Sequence, residues 1–292
     1  MIRDDNIRAA FLMMGAAAAF TVNDLFLKML GLEMGLFQIL AMRGVFVSAI
    51  FGAVVWHEGV KLAALTRRDR QFLFLRASAE ALAAYFFFVA LFQMPLANVT
   101  AIMQVVPLSV ALAAYLFLHE PLGWRRLSAI LVGFGGVMLI VQPGGDAFTL
   151  ASVSALACVA MVTFRDLLTR RMAATLPSSA VALTTAIGVT LFGFLGSITE
   201  TWVMPSPLAW LWLAGAVAFV CMGYILVILA MRSGEMSFVS PFRYTGLLVA
   251  LVLGYLIFAE WPDRLTLIGS FIVVATGIYT LYRERQVRRV RA

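Results

Sequence analysis

Charged residues are scarce in this sequence. Only 13% of the 292 residues are Asp, Glu, Lys or Arg, whereas 63% are hydrophobic. A water-soluble domain carries about 25% charged residues and at most about half apolar ones. The chain therefore has too few polar side chains to cover a soluble body, and its composition indicates a protein that lies in a lipid bilayer.

Cysteine and histidine are also rare, with two residues of each. Cys158 and Cys221 lie 63 positions apart, which matches no metal or redox spacing. His57 and His119 each precede a glutamate, but neither continues as HExxH. No Ser/His/Asp set stands out either. The sequence therefore predicts no catalytic residues, no metal and no cofactor, and we expect a protein that is not an enzyme.

Long apolar runs fill the chain instead. A helix needs roughly 20 apolar residues to cross the hydrocarbon core, at about 1.5 Å per residue. Ten runs meet this requirement, and the short connections leave no soluble domain, so we predict an all-α integral membrane protein. The ten spans are 8–30, 36–56, 72–93, 97–118, 125–142, 149–170, 178–199, 208–231, 236–258 and 264–282.

Lysine and arginine fall almost wholly on one side of these spans. With the N-terminus inside, seventeen of the 22 basic residues, Lys61 among them, lie on the inner side, Lys28 and Arg264 lie on the outer side, and the other three, Arg43, Arg165 and Arg243, lie within the spans. Positive loops stay in the cytoplasm, so both termini are expected there. The basic tail "RERQVRRVRA" has the same explanation, together with anionic lipid headgroups, and we expect no nucleic-acid partner.

The sequence also contains an internal repeat. "SVALAAYLFLHEPLGW" (109–124) returns as "VALVLGYLIFAEWPD" (249–263), which places Glu120 and Glu260 140 residues apart. "TVNDLFLK" (21–28) aligns with "TFRDLLTR" (163–170) at a spacing of 142. Two matches at nearly the same spacing predict a duplication, with a first copy at 1–144 and a second at 145–292.

Each copy contains five predicted spans. Because five is odd, the second copy must enter the membrane from the opposite side. The architecture is therefore expected to be two inverted five-helix repeats, related by a pseudo-twofold axis in the membrane plane. This plan recurs in secondary transporters, in which a site between the halves opens alternately to each side.

The motifs of the repeat resemble those of a known family. The ending at Glu120–Pro121 and the segment "ALFQMPLANVTAIMQVVPL" (90–108) are similar to the drug/metabolite transporter superfamily, in its ten-helix EamA-type branch. The second copy departs from the pattern at Trp261 and Leu247. Within the branch, the chain most resembles bacterial inner-membrane exporters of aromatic and other amino acids. The resemblance implies export of large apolar amino acids or related metabolites by alternating access. A monomer is a separate expectation.

Ionisable side chains within the predicted spans are candidate pathway residues, because a charge is costly in the bilayer. The alternative is that each is paired and only holds helices together. If a proton drives transport, Glu80 or Asp24 would carry it. The candidates are Asp24, Arg43, Glu80, Arg165, Asp166 and Arg243.

Two of these positions form a matched set. Asn23–Asp24 and Arg165–Asp166 occupy equivalent places in the two copies. Inversion places one set toward each side of the membrane, so they could gate the two mouths of a pathway. The alternative is that they cap helix ends.

A second group of candidates is polar or aromatic. Pro107 lies in mid-span, and the backbone groups that it frees should face protein or a water-filled cavity. We expect Glu80, Gln104 and Tyr244 to approach one central cavity between the halves. Tyr85 and Tyr224 are further candidates for its wall, although most aromatic residues in membrane helices serve packing.

Three alternatives remain to this interpretation. Uptake of another small metabolite would use the same architecture. A nucleotide-sugar or phosphate-ester carrier would need several cations in its pathway, and the chain has only Lys28 and Lys61 as lysines. A membrane enzyme or a non-transporting scaffold is disfavoured by the inverted duplication.

Overall fold

The computed structural model describes residues 2–60, 66–144, 148–172, 176–233 and 236–291. These residues form α-helices joined by short connections. The helices are α1 Ile2–Leu30, α2 Leu36–His57, α3 Arg67–Gln93, α4 Leu96–Met103, α5 Val106–Leu118, α6 Trp124–Val141, α7 Leu150–Arg171, α8 Ser178–Gly196, α9 Pro207–Ser233, α10 Met236–Val239, α11 Thr245–Phe258 and α12 Arg264–Arg291.

The prediction of ten membrane-length helices is confirmed over the described residues. Most of the spans are single helices. The fourth, Leu96–Leu118, consists of α4 and α5, and the ninth, Ser240–Phe258, consists of a 3-10 turn followed by α11. Proline accounts for both interruptions, because it lacks an N–H group and clashes with the preceding helical turn. Pro107 stands at the start of α5, and Pro241 lies in the 3-10 turn Ser240–Tyr244.

Two helices extend beyond their predicted bounds into polar sequence. α3 begins at Arg67, where we expected residue 72, because Thr66 and Asp69 form a capping box. α12 continues to Arg291, well past the predicted end at 282. The hydrophobic pattern marks the membrane-embedded part of a helix, whereas caps and local propensity decide where the helix itself ends.

The helix contacts follow the predicted repeat, in which α1 corresponds to α7 and α3 to α9. α1 packs along α9, and α3 packs along α7, so the repeat relates these two contacts, which both run between the copies. α2 packs against its own counterpart α8, and α6 against its counterpart α12. All four major contacts join the first half to the second, so neither half is a separate body.

Small residues bring two of these helix pairs close together. A Cβ atom at Gly193 of α8 would lie 2.5 Å from the backbone nitrogen of Ala41 in α2. A Cβ atom at Gly136 of α6 would lie 2.9 Å from the carbonyl oxygen of Gly269 in α12. Such glycines let helix backbones approach, which is how helices gain contact in a lipid environment that offers no hydrophobic drive.

Two predictions fall on residues outside the described part of the chain. The boundary between the copies, 144/145, borders residues 145–147, and Lys61 belongs to the segment 61–65. The domain division and the cytoplasmic placement of the termini stay predictions. The side of the bundle where α1 ends is called the Lys28 end, and the side where α7 ends is called the Arg170 end.

Candidate functional site

A cavity of about 1270 Å³ lies between the two halves. Its walls are mostly apolar, from side chains such as Phe20, Phe87, Met103 and Val227. Polar and charged groups interrupt these walls at a few places. They are Thr21, Asp24, Thr100, Gln104, Glu120, Arg126, Arg165, Asp166, Arg170, Ser240 and Arg243.

Asp24 of α1 lies on the cavity wall, next to the buried Asn23. The Asn23 side-chain amide donates to Asp24 Oδ1 at 2.9 Å, which holds the carboxylate in one orientation. One turn earlier, the Thr21 hydroxyl makes a 3.2 Å contact with the carbonyl oxygen of Gly246 in α11. The carboxylate is therefore positioned where the first helix meets the interrupted ninth span.

Arg165 of α7 is the centre of a charged cluster on the same cavity. Its Nη1 lies 2.6 Å from Glu80 Oε2, and its Nη2 lies 2.8 Å from Asp166 Oδ1. Glu80 belongs to α3, so the first ion pair joins the two halves of the molecule. The guanidinium is neutralised by two carboxylates, as expected for charges held in low dielectric.

Arg43 of α2 is placed differently. It does not line the cavity, and within the described residues no carboxylate oxygen lies within 4 Å of its guanidinium nitrogens. Its Nε is buried without a hydrogen-bond partner in that part of the chain. Asp24 and Glu80 act on it only at longer range.

The predicted tyrosines are not among the residues that line the cavity. Tyr85 stacks on Phe37 with ring centroids 5.6 Å apart, in a cluster that packs helices together. Tyr224 makes an edge contact with the cavity residue Phe20 at 5.4 Å. Tyr244 is 4% exposed, and its hydroxyl rests on Gly277.

The twelve candidates thus divide into two equal groups. The first group lines the cavity and consists of Asp24, Gln104, Pro107, Arg165, Asp166 and Arg243. The second group is outside the lining and consists of Asn23, Arg43, Glu80, Tyr85, Tyr224 and Tyr244. Of the three residues expected to approach one cavity, Gln104 lines it, Glu80 contacts it through Arg165, and Tyr244 is the chain neighbour of the lining residue Arg243.

The cavity opens at the Arg170 end. Glu120, Arg126 and Arg170 lie on its wall there. Arg170 Nη1 contacts both carboxylate oxygens of Glu120, at 2.9 and 3.0 Å. The two side chains are 45% and 51% exposed, so this ion pair stands at a wet mouth.

The Lys28 end is closed by another ion pair. Lys28 Nζ lies 2.6 Å from Glu260 Oε1 and donates to the carbonyl oxygen of Met94 at 2.8 Å. The backbone N–H of Leu96 donates to Glu260 Oε2 at 3.1 Å. The sequence predicted Lys28 on the outer side of the spans and not in the pathway. Its alignment with Arg170 could have indicated a role for it at the mouth of the pathway.

A polar clamp joins α6 to α12 at this closed end, outside the spans. Asp263 caps α12 by accepting from the Thr266 N–H at 2.7 Å, and it accepts from the Gln142 side-chain amide at 2.5 Å. Partial burial acts to raise the pKa of Asp263, but these hydrogen bonds favour the carboxylate, and the net effect lowers the pKa.

In the part of the chain that the structure describes, ten spans, two of them interrupted at a central cavity, define a polytopic membrane protein. The family model for the EamA-like transporter family matches it twice, at residues 7–142 and 149–283. The chain belongs to the EamA-like transporter family. A solved crystal structure has the same fold, with a TM-score of 0.66 at 19% identity, covering 94% of this chain and 96% of the other.

Named relatives are transporters for different solutes. An S-adenosylmethionine uptake transporter of Rickettsia felis is 23% identical, covering 91% of this chain and 90% of the relative. A riboflavin transporter of Vibrio cholerae is 28% identical, covering 68% and 67%. A pseudopaline exporter of Pseudomonas aeruginosa is 25% identical, covering 90% and 92%. The chain is thus a multi-pass membrane transporter of a small molecule, consistent with the expectation that it is not an enzyme.

Proposed function

We propose that the chain is a secondary transporter that exports amino acids with large apolar or aromatic side chains, or close derivatives, from the cytoplasm. The observation that carries the proposal is the cavity, which combines apolar walls with side chains of both charge signs. An amphipathic zwitterion requires this combination, because its carboxylate and ammonium groups need polar partners while its side chain needs an apolar surface.

The two charged groups of the solute have candidate partners on the cavity wall. Arg165 is already neutralised by Glu80 and Asp166. Arg243 is exposed on the wall and would receive the carboxylate, and Asp24 would receive the ammonium group. Each contact would be a charge-assisted hydrogen bond, the stronger kind in proteins.

The excess of basic residues near the Arg170 end supports a cytoplasmic location for that mouth. In this structure, whose cavity opens at the Arg170 end, the substrate would therefore enter from the cytoplasm. Both termini would lie on the same side, in a bacterial inner membrane.

Counterflow of labelled phenylalanine and tryptophan into proteoliposomes tests the substrate. Arg243→Gln should raise the half-saturating concentration about tenfold to hundredfold, since a charged hydrogen bond contributes ~1.5–3 kcal/mol and 1.4 kcal/mol is tenfold. The matched control is Arg232→Gln, an exposed arginine outside the cavity lining that should leave counterflow unchanged. Exchange of riboflavin without exchange of any amino acid would contradict the proposed substrate.

A second candidate is uptake of an amino-acid derivative. It is favoured by the relative named for S-adenosylmethionine uptake, because that compound is itself an α-amino acid joined to an aromatic base. Accumulation in cells distinguishes the two directions. Export predicts that overproduction lowers the internal pool of phenylalanine or tryptophan, whereas uptake predicts a higher pool of the transported solute.

A further inference from the structure

Two ion pairs occupy equivalent places at opposite ends of the molecule. Lys28 aligns with Arg170 at a spacing of 142, and Glu120 aligns with Glu260 at a spacing of 140. In the structure each basic residue contacts the glutamate of the other copy. The pairs are Lys28–Glu260 and Arg170–Glu120. The two ion pairs are therefore equivalent under the repeat.

The surroundings of the two pairs are opposite. The side chains of Lys28 and Glu260 are 9% and 26% exposed, and the ring of Phe258 lies 4.7 Å from Lys28 Nζ. Backbone groups of Met94 and Leu96 complete the hydrogen bonds of the pair. Arg170 and Glu120 stand half in water at the mouth of the cavity.

We infer that these pairs are the two gates of one transport pathway, with the Lys28–Glu260 pair buried and sealed and the Arg170–Glu120 pair formed but hydrated at an open mouth in this structure. In the opposite state the environments are exchanged. The Arg170–Glu120 pair becomes buried and sealed, while the Lys28–Glu260 pair becomes hydrated at an open mouth.

The exchange has a physical advantage. Burying an ion pair costs desolvation, which its own attraction and its backbone hydrogen bonds offset only in good geometry. Each state holds one buried pair and one hydrated pair, so the cost is the same on both sides of the cycle to first order. Two states of similar free energy are what alternating access needs, because a minor state must be populated about 0.1–10% of the time.

The gates differ from the pairs singled out in the sequence. Asn23–Asp24 and Arg165–Asp166 lie one turn deeper along α1 and α7, where Asp24, Arg165 and Asp166 line the cavity. The gates seal the pathway, whereas the deeper groups face its contents. The inference depends on the transporter class and not on which solute is carried.

Accessibility of a cavity thiol tests the inference without any substrate. The native Cys158 and Cys221 are replaced by Ser, and Ala111 on the cavity wall is replaced by Cys. Proteoliposomes of known orientation, scored by protease removal of a C-terminal tag, are treated with a membrane-impermeant maleimide on one face at a time. The parent should be labelled from the Arg170 end.

The same neutral change at the two equivalent glutamates should act in opposite directions. Glu260→Gln weakens the shut gate and should raise the rate of labelling from the Lys28 end about tenfold, a shift within the range of a few-percent minor state. Glu120→Gln weakens the gate that shuts the opposite state and should leave labelling from the Lys28 end at or below the parent rate.

A second change to the same pair separates gating from a loss of folding. Lys28→Gln also weakens the shut gate, should likewise raise labelling from the Lys28 end, and provides the decision if Glu260→Gln does not fold. Failure of Glu260→Gln to increase labelling from the Lys28 end would overturn the inference. So would the same increase in Glu120→Gln, or a folded Lys28→Gln variant whose labelling from the Lys28 end stays at the parent rate.

Discussion

The two ends of the bundle are built from equivalent residues but are held with different tightness. At the Lys28 end, Glu200 accepts hydrogen bonds from the backbone N–H groups of Phe37 and Gln38, at 3.0 and 3.2 Å. Its equivalent at the Arg170 end, Glu58, lies 142 residues earlier and, among the described residues, accepts only from the exposed hydroxyl of Ser179. The same contrast separates the two ion pairs, so local sequence does not decide which end is tight.

Helix packing follows the same gradient. Along the contact of α2 with α8, Gly193 near the Lys28 end touches backbone atoms of Ala41. Near the Arg170 end, a Cβ atom at Gly52 would meet only Leu183 Cδ1, at 3.9 Å. The backbones of the two helices are therefore closer at Gly193 than at Gly52. Each difference between the ends can be measured with a pair of matched substitutions.

The ion pairs should give the largest difference in stability. Lys28→Met leaves the Glu260 carboxylate in a sealed, weakly hydrated place, and removing one partner of a buried pair costs about 3–5 kcal/mol. Arg170→Met removes a half-exposed partner and should cost about 0–1 kcal/mol. Denaturant unfolding in mixed micelles gives both free energies of unfolding, and equal losses would remove the distinction between the ends.

The glycines of the α2–α8 contact should give the next largest difference. Gly193→Ala forces the two backbones apart and should lower the free energy of unfolding by about 1–3 kcal/mol, as overpacking does. Gly52→Ala has room and gains up to about 1 kcal/mol of helix propensity. Thermal unfolding of the two variants in the same detergent checks the prediction, which fails if Gly193→Ala is neutral.

The helix caps should give the smallest difference. Glu200→Ala leaves two N–H groups at the start of α2 without their carboxylate and should cost about 1 kcal/mol, the usual value for a lost N-cap. Glu58→Ala exposes a Ser hydroxyl that water can satisfy, so its effect should stay within about 0.5 kcal/mol. Hydrogen exchange of the first turn of α2 should accelerate only in the Glu200 variant, and unchanged exchange would argue against the cap.

The sequence was sufficient for the spans because a bilayer demands long apolar runs. It also located Pro107, which is the second residue of α5 and lines the cavity. Partners within the membrane were not predictable in the same way. Glu80 meets Arg165 only because α3 packs along α7, and no periodicity within either helix specifies which helix will be its neighbour.

Lys28 shows a second limit. A lysine at a helix end normally reaches toward water or headgroups, so its position within α1 indicated an exposed residue. The fold instead brings Glu260, Met94 and Phe258 around it. The equivalence with Arg170 was visible in the repeat, but its meaning required knowledge of how the two copies interlock.

The contact of Gly136 with Gly269 has a mechanical consequence. α6 and α12 are counterparts, and backbone atoms of the two helices meet at this contact with no side chain between them. Such a contact can turn but cannot widen without leaving a void. It would serve as a pivot, about which the two ends of the bundle move together. Closing one mouth would then open the other through rigid geometry, with no signal passing between them.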